Sequence, residues 1–185
     1  SPISGATNES YQPVSLISTT YYRRKVINPC SSGYTNTIVI TVRPDLIAGA
    51  ISNSQTICYN TSPAQLVTSS LPSGGTGSYS YQWQNSVNNS SWNNISGATA
   101  ETYSPGALTS SLYYRRSETS GSCGTVQTNS VQIIVNSPLV AGTVKSDQTI
   151  CYGTSPGIFL TNTYPTGGNG SYTYQWQKLV ASSWT

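Results

Sequence analysis

The 185-residue sequence contains no His, no Met and a single Phe, and 7% of its residues are charged, where soluble proteins average about 25%. Each shortage excludes a chemistry. Without His there is no Ser-His-Asp or Cys-His nucleophile and no His-ligated zinc. The five acidic residues, Glu9, Asp45, Glu101, Glu118 and Asp147, stand singly, which argues against a paired-carboxylate active site or a multi-carboxylate calcium cage. The inventory therefore yields no catalytic residue, no cofactor site and no metal ligand, and an enzyme is not expected. A net charge of +3 is too thin for a nucleic-acid footprint. No run approaches the ~18 apolar residues of a membrane span, so this segment is not expected to insert, and no signal-peptide pattern opens the chain.

What the chain does have is hydroxyls, amides and large rings. Ser, Thr and Asn supply 70 residues, while Leu, Ile, Val and Phe together supply 35. That aliphatic content is low for a core, but 14 Tyr and 4 Trp make up for it, since each ring can bury about 150–250 Å². Low net charge and many aromatics argue for a folded chain rather than a disordered one.

The sequence repeats itself. Ile-Ser-Gly-Ala-Thr occurs at Ile3 to Thr7 and Ile95 to Thr99, and Tyr-Tyr-Arg-Arg at Tyr21 to Arg24 and Tyr113 to Arg116, both offset by 92. Gln-Thr-Ile-Cys-Tyr occurs at Gln55 to Tyr59 and Gln148 to Tyr152. Gly-Gly-x-Gly-Ser-Tyr-x-Tyr-Gln-Trp-Gln occurs at Gly74 to Gln84 and Gly167 to Gln177, these two offset by 93. Joining Thr185 to Ser1 restores the block order seen after Trp92. The expectation is an excerpt of a longer tandem array, cut within a module. Proteolysis would not explain why the two ends complement each other.

Short alternating apolar runs with turn residues every 8–12 positions predict an all-β chain of antiparallel sandwich modules. Arg43-Pro44 and Ser137-Pro138 close two such modules, because Pro ends a strand ladder. The expected organisation is the C-terminal half of an immunoglobulin-like module at 1–44, a complete module at 45–137, and the N-terminal half of the next at 138–185. Trp83, Trp176, Tyr81 and Tyr174 fall on strands where a sandwich needs its bulky core, with a carbohydrate-stacking platform as the alternative use of those rings. Trp92 and Trp184 follow a polar hairpin. With the pairs Arg23, Arg24 and Arg115, Arg116 they are the candidates for an exposed contact, although Arg stacked on Tyr along a solvated strand explains the pairs as well.

Four Cys at equivalent places, without His or acidic neighbours, read as structural disulfides of an oxidising compartment. Cys58 and Cys123 lie in the complete module and are expected to pair, leaving Cys30 and Cys151 to pair with adjacent repeats. Pairing of Cys30 with Cys58 and of Cys123 with Cys151 is the rival arrangement, which would staple neighbouring modules.

These blocks, together with Thr102-Tyr-Ser-Pro-Gly-Ala-Leu-Thr109, resemble the tandem immunoglobulin-like repeats of giant Bacteroidetes cell-surface proteins, among them the SprB-like adhesins of gliding flavobacteria. The resemblance covers essentially the whole chain. The first copy departs from it in having Tyr11-Gln-Pro-Val-Ser-Leu16 and a longer Cys loop. The resemblance implies export by type IX secretion to the surface of a Gram-negative cell, and attachment at the outer membrane. It implies a structural role in a long extracellular filament for adhesion or gliding motility. The partners it implies are adjacent copies of the repeat, end to end, with lateral self-association or surface glycans as further options. A glycan-binding module of a secreted surface protein is the alternative function.

Overall fold

A computed structural model describes residues 1–180, 183 and 184. The described residues are all-β, with one 3-10 turn at Gly121–Cys123. Residues 1–44 carry β1 (Thr20–Tyr22), β2 (Lys25–Ile27), β3 (Ser32–Tyr34) and β4 (Ile38–Ile40). The middle of the chain carries β5 (Ala50–Ser52), β6 (Gln55–Ile57), β7 (Val67–Ser70), β8 (Ser80–Ser86), β9 (Asn93–Asn94), β10 (Leu112–Thr119), β11 (Thr125–Gln127) and β12 (Val131–Val135). β13 (Thr143–Lys145), β14 (Leu160–Thr163), β15 (Leu179–Val180) and β16 (Ser183–Trp184) follow.

The larger sheet of the middle region runs β6-β12-β10-β8-β9, with β11 on the end of β10. Its β12–β6 contact is parallel and the other pairings are antiparallel. Against it lies the β5–β7 pair, extended by a bridge between Leu66 and Tyr103. Period-two alternation selects what goes between the layers: on β10, Tyr114, Arg116 and Glu118 point inward, while on β12 Val131 and Ile133 do so. Trp83, Leu66 and Ile133 are wholly buried and pack with Ile51, Ala98, Tyr114 and Val131. Trp83 meets Tyr103 at 5.7 Å between ring centroids, and Tyr103 meets Tyr114 at 5.8 Å.

The flanks reproduce the pairings of the middle, each at the offset of the sequence repeat. Thr20↔Ile40 in β1–β4 matches Leu112↔Ile133, and Thr143↔Thr163 in β13–β14 matches Ala50↔Ser70, including the bulge beside it. Yet every buried residue among those described lies between Gly49 and Ile133. Trp176 and Tyr174, expected in a core, are 59% and 72% exposed. Their strand context is that of Trp83 and Tyr81, but much of the core around Trp83 comes from Ala98, Tyr103, Tyr114, Val131 and Ile133, and nothing among the described residues plays that part over 138–180. Tyr81 is half-buried.

The four cysteines are free, so neither the Cys58–Cys123 bridge nor the Cys30–Cys58 and Cys123–Cys151 alternative is present. Register explains the first. Cys58 follows Ile57, which pairs with Val135, whereas Cys123 lies beyond Thr119 and Thr125 at the opposite end of β10. At the rise of a strand these positions are roughly 30 Å apart, and disulfide bonding needs Cα atoms within about 7 Å.

Truncating the central ring tests the core. Trp83→Ala is expected to cost about 3–5 kcal/mol in urea denaturation, whereas Val87→Ser, at an exposed position, should change stability by less than about 0.5 kcal/mol.

Candidate functional site

The most concentrated polar chemistry of the chain is buried between the two layers. Arg116 and Glu118 sit two apart on β10, so the strand pleat aims both into the interior, and both are fully buried. The Glu118 Oε1 accepts from Arg116 Nε at 3.0 Å and from Nη2 at 2.6 Å. Glu118 Oε2 accepts from the Gly49 N–H at 2.7 Å, at the entry to β5. Arg116 Nη1 donates to Thr68 Oγ1 on β7 at 2.7 Å and to the Glu101 carbonyl oxygen. The guanidinium carbon stands 4.3 Å from the Tyr81 ring centroid. One ion pair thus touches β10, β8, β7, the start of β5 and the Glu101 segment.

This corrects the expectation that Arg116 is a surface contact. A buried charge is tolerated only when paired and hydrogen-bonded, and Glu118 supplies what the sequence reading missed. The signal was available: an Arg and a Glu two apart on a strand, in a chain with so few charges, share one face.

The other candidates lie outside. The Arg115 guanidinium lies 4.3 Å above the ring of Trp92, which is half-buried, and burial lowers the Arg115 pKa. Arg23 stacks on Tyr34 at 3.8 Å. Arg24, the counterpart of Arg116, is exposed and donates to the Glu9 carbonyl oxygen at 2.7 Å. Trp184 is 66% exposed. The structure brings Arg115 and Trp92 together and leaves the Arg23, Arg24 pair and Trp184 as separate features. Among the described residues no three His, Cys, Asp or Glu side chains come together as a metal site.

A depression of about 540 Å³ is lined by Ile158, Phe159, Trp176, Gln177 and Lys178. Phe159 and Trp176 occupy the places that Leu66 and Trp83 hold in the middle region, and their ring centroids are 5.6 Å apart. In the middle region those places lie on the inner face of the core. The equivalents of Tyr103 and Tyr114 lie near the other end of the chain, where Tyr11 and Tyr22 meet at 6.1 Å and 45°, much as Tyr103 and Tyr114 do at 5.8 Å and 42°. Tyr11 is 45% and Ile38 60% exposed.

The model of a domain of unknown function, DUF8696, matches residues 1–44 and 47–137. The chain belongs to the DUF8696 family. The two matched stretches of this DUF8696 protein meet at Pro44, whose carbonyl oxygen accepts from the Gly75 N–H at 2.9 Å. No curated protein matches the chain.

Two measurements test the buried cluster. Glu118→Ala strands the Arg116 charge and should cost about 3–5 kcal/mol, whereas the double variant Arg116→Met, Glu118→Leu should recover most of that loss; a double-mutant cycle by chemical denaturation reads the difference. The second concerns Tyr114, whose phenol burial pushes up to about 12, with Tyr103 adding to the shift. The unfolded phenol ionises near 10, so between about pH 10 and 12 the folded state binds more protons and stability falls as pH rises. Tyr114→Phe should flatten that alkaline loss in a series of melts.

Proposed function

We propose that this DUF8696 chain is a structural segment of a tandem array of immunoglobulin-like modules, serving as spacer or stalk in a long extracellular cell-surface adhesin or filament. The observation that carries the reading is the pair of open half-cores. Phe159 and Trp176 present one half of the middle region's core, Tyr11, Tyr22 and Ile40 present the other, and each is the complement of the one at the opposite end. In an array, a 138–180-type face is covered by a 1–44-type face, which makes stability a sum of module and neighbour terms.

The immunoglobulin-like assignment is supported by the two-layer arrangement, by the parallel β6 on β12 at the edge of the larger sheet, and by the buried Trp83 on β8. A role without catalysis, at the surface of a Gram-negative cell and reached by type IX secretion, follows from the repeat resemblance, with adhesion and gliding as the processes it would serve. A neutral, hydroxyl-rich exterior suits such a thread, because few charges leave little for salt to screen.

Electron microscopy of the purified chain in reducing buffer tests the proposal. Linear chains of beads that lengthen with concentration, and that vanish in Trp176→Asp, are expected. Isolated globules at every concentration would sink it. Glycan binding is the second reading, resting on Trp92 beside Arg115. It predicts binding to a panel of polysaccharides that is lost in Trp92→Ala, while the stalk reading predicts no binding.

A further inference from the structure

The cysteines of the middle region lie at its two poles, and so do its chain connections. At one pole the entering chain at Pro44 meets Gly75 through the bond from its N–H. A Cβ built on Gly75 would lie 3.6 Å from the Cys123 Cβ, and Gly75 itself is at φ +57. Cys123 therefore marks the entry junction. At the other pole the chain leaves through Asn136, whose N–H donates to the Ile57 carbonyl oxygen at 2.9 Å. Cys58 is the next residue after Ile57, is exposed, and opens a tight turn in which its carbonyl accepts from Thr61 Oγ1 at 2.8 Å. Cys58 therefore marks the exit junction.

The next module repeats the entry geometry. The Gly168 N–H donates to the Ser137 carbonyl oxygen at 2.8 Å, as the Gly75 N–H does to Pro44. The counterpart of Cys123 in that module belongs beside Gly168, so the path to it from Cys58 runs through only Ile57, Asn136, Ser137 and Gly168. That path keeps the two within roughly 20 Å, against roughly 30 Å for Cys58 and Cys123 of one module. The remaining gap falls to the loop that carries the late cysteine: Cys123 lies between Gly121 and Gly124, both at positive φ, and Cys30 sits in the turn between β2 and β3.

We propose that the early cysteine of each module forms a disulfide with the late cysteine of the module that follows it. Between successive copies of this chain that means Cys58 with Cys30 and Cys151 with Cys123, so each junction is locked covalently as well as by its half-cores. Two thiols give up two protons and two electrons to form each S–S bond, and a disulfide donor such as oxidised glutathione, reduced to two thiols, takes them. The proposal rests on the tandem reading above.

The test uses the full chain, assembled in reducing buffer and then moved into oxidised glutathione. Non-reducing electrophoresis should show a ladder that dithiothreitol collapses, and peptide mapping should find Cys58–Cys30 and Cys151–Cys123 cross-links. Cys58→Ser should lose the first cross-link and keep the ladder; Cys58→Ser with Cys151→Ser should lose the ladder. Assembly with all four thiols still titratable, or cross-links joining Cys58 to Cys123, would overturn the bridge and leave the tandem reading standing. Absence of any assembly in reducing buffer would overturn the tandem reading itself, and the bridge with it.

Discussion

A charge buried in a chain that has few charges to spare sets the terms for the whole fold. Arg116 gives up water entirely, and the several kcal/mol that this desolvation costs is offset only if its donors all find acceptors. They find them on Glu118 of β10, Thr68 of β7 and the Glu101 carbonyl in the segment before Tyr103. The two layers can close only when all of those strands are in place. The first copy shows the same point from the other side: Arg24 keeps its bond to the Glu9 carbonyl, but Val26 stands where the middle region has Glu118, and the guanidinium is exposed.

In the proposed array, this dependence makes half a module an open structure. Residues 1–44 and 138–180 form their local pairs in the registers of the middle region, because hairpin pairing needs only neighbouring strands and their turns. None of their described residues is fully buried. The rings at 6.1 Å in one flank and 5.6 Å in the other are already arranged as in a closed core. Little reorganisation then stands between an open face and its complement, and a contact between two preformed faces loses less entropy than one that must first be ordered.

The poles impose a second constraint. Gly74 and Gly75 lie where the entering chain passes, and a Cβ on Gly74 would stand against the Asp45 carbonyl. Both adopt positive φ, which glycine takes at little cost. The same turn recurs at Gly167, with the Tyr172 hydroxyl bonded to its carbonyl oxygen as Tyr79 is to that of Gly74. The turn is therefore a repeated piece of backbone geometry, and in the proposed array it sets the direction in which one module follows another.

The repeat and the strands were legible in the sequence, because they depend on a period of two and on turn residues that act over a few positions. Trp83 and the Tyr-Tyr-Arg-Arg strand were found that way. Legibility ended where two segments distant along the chain had to meet. The sequence pattern assigns Trp176 the same strand face as Trp83, and only the tertiary structure decides that one is covered and the other open, since the covering strands come from elsewhere. It equally assigns Arg115 and Arg116 to one basic pair; the fold puts one over Trp92 and the other against Glu118 in the interior. Two cysteines per module suggested one bridge per module. Strand register placed them at opposite poles, because spacing along a chain says nothing of distance across a sheet until the direction of each strand is known.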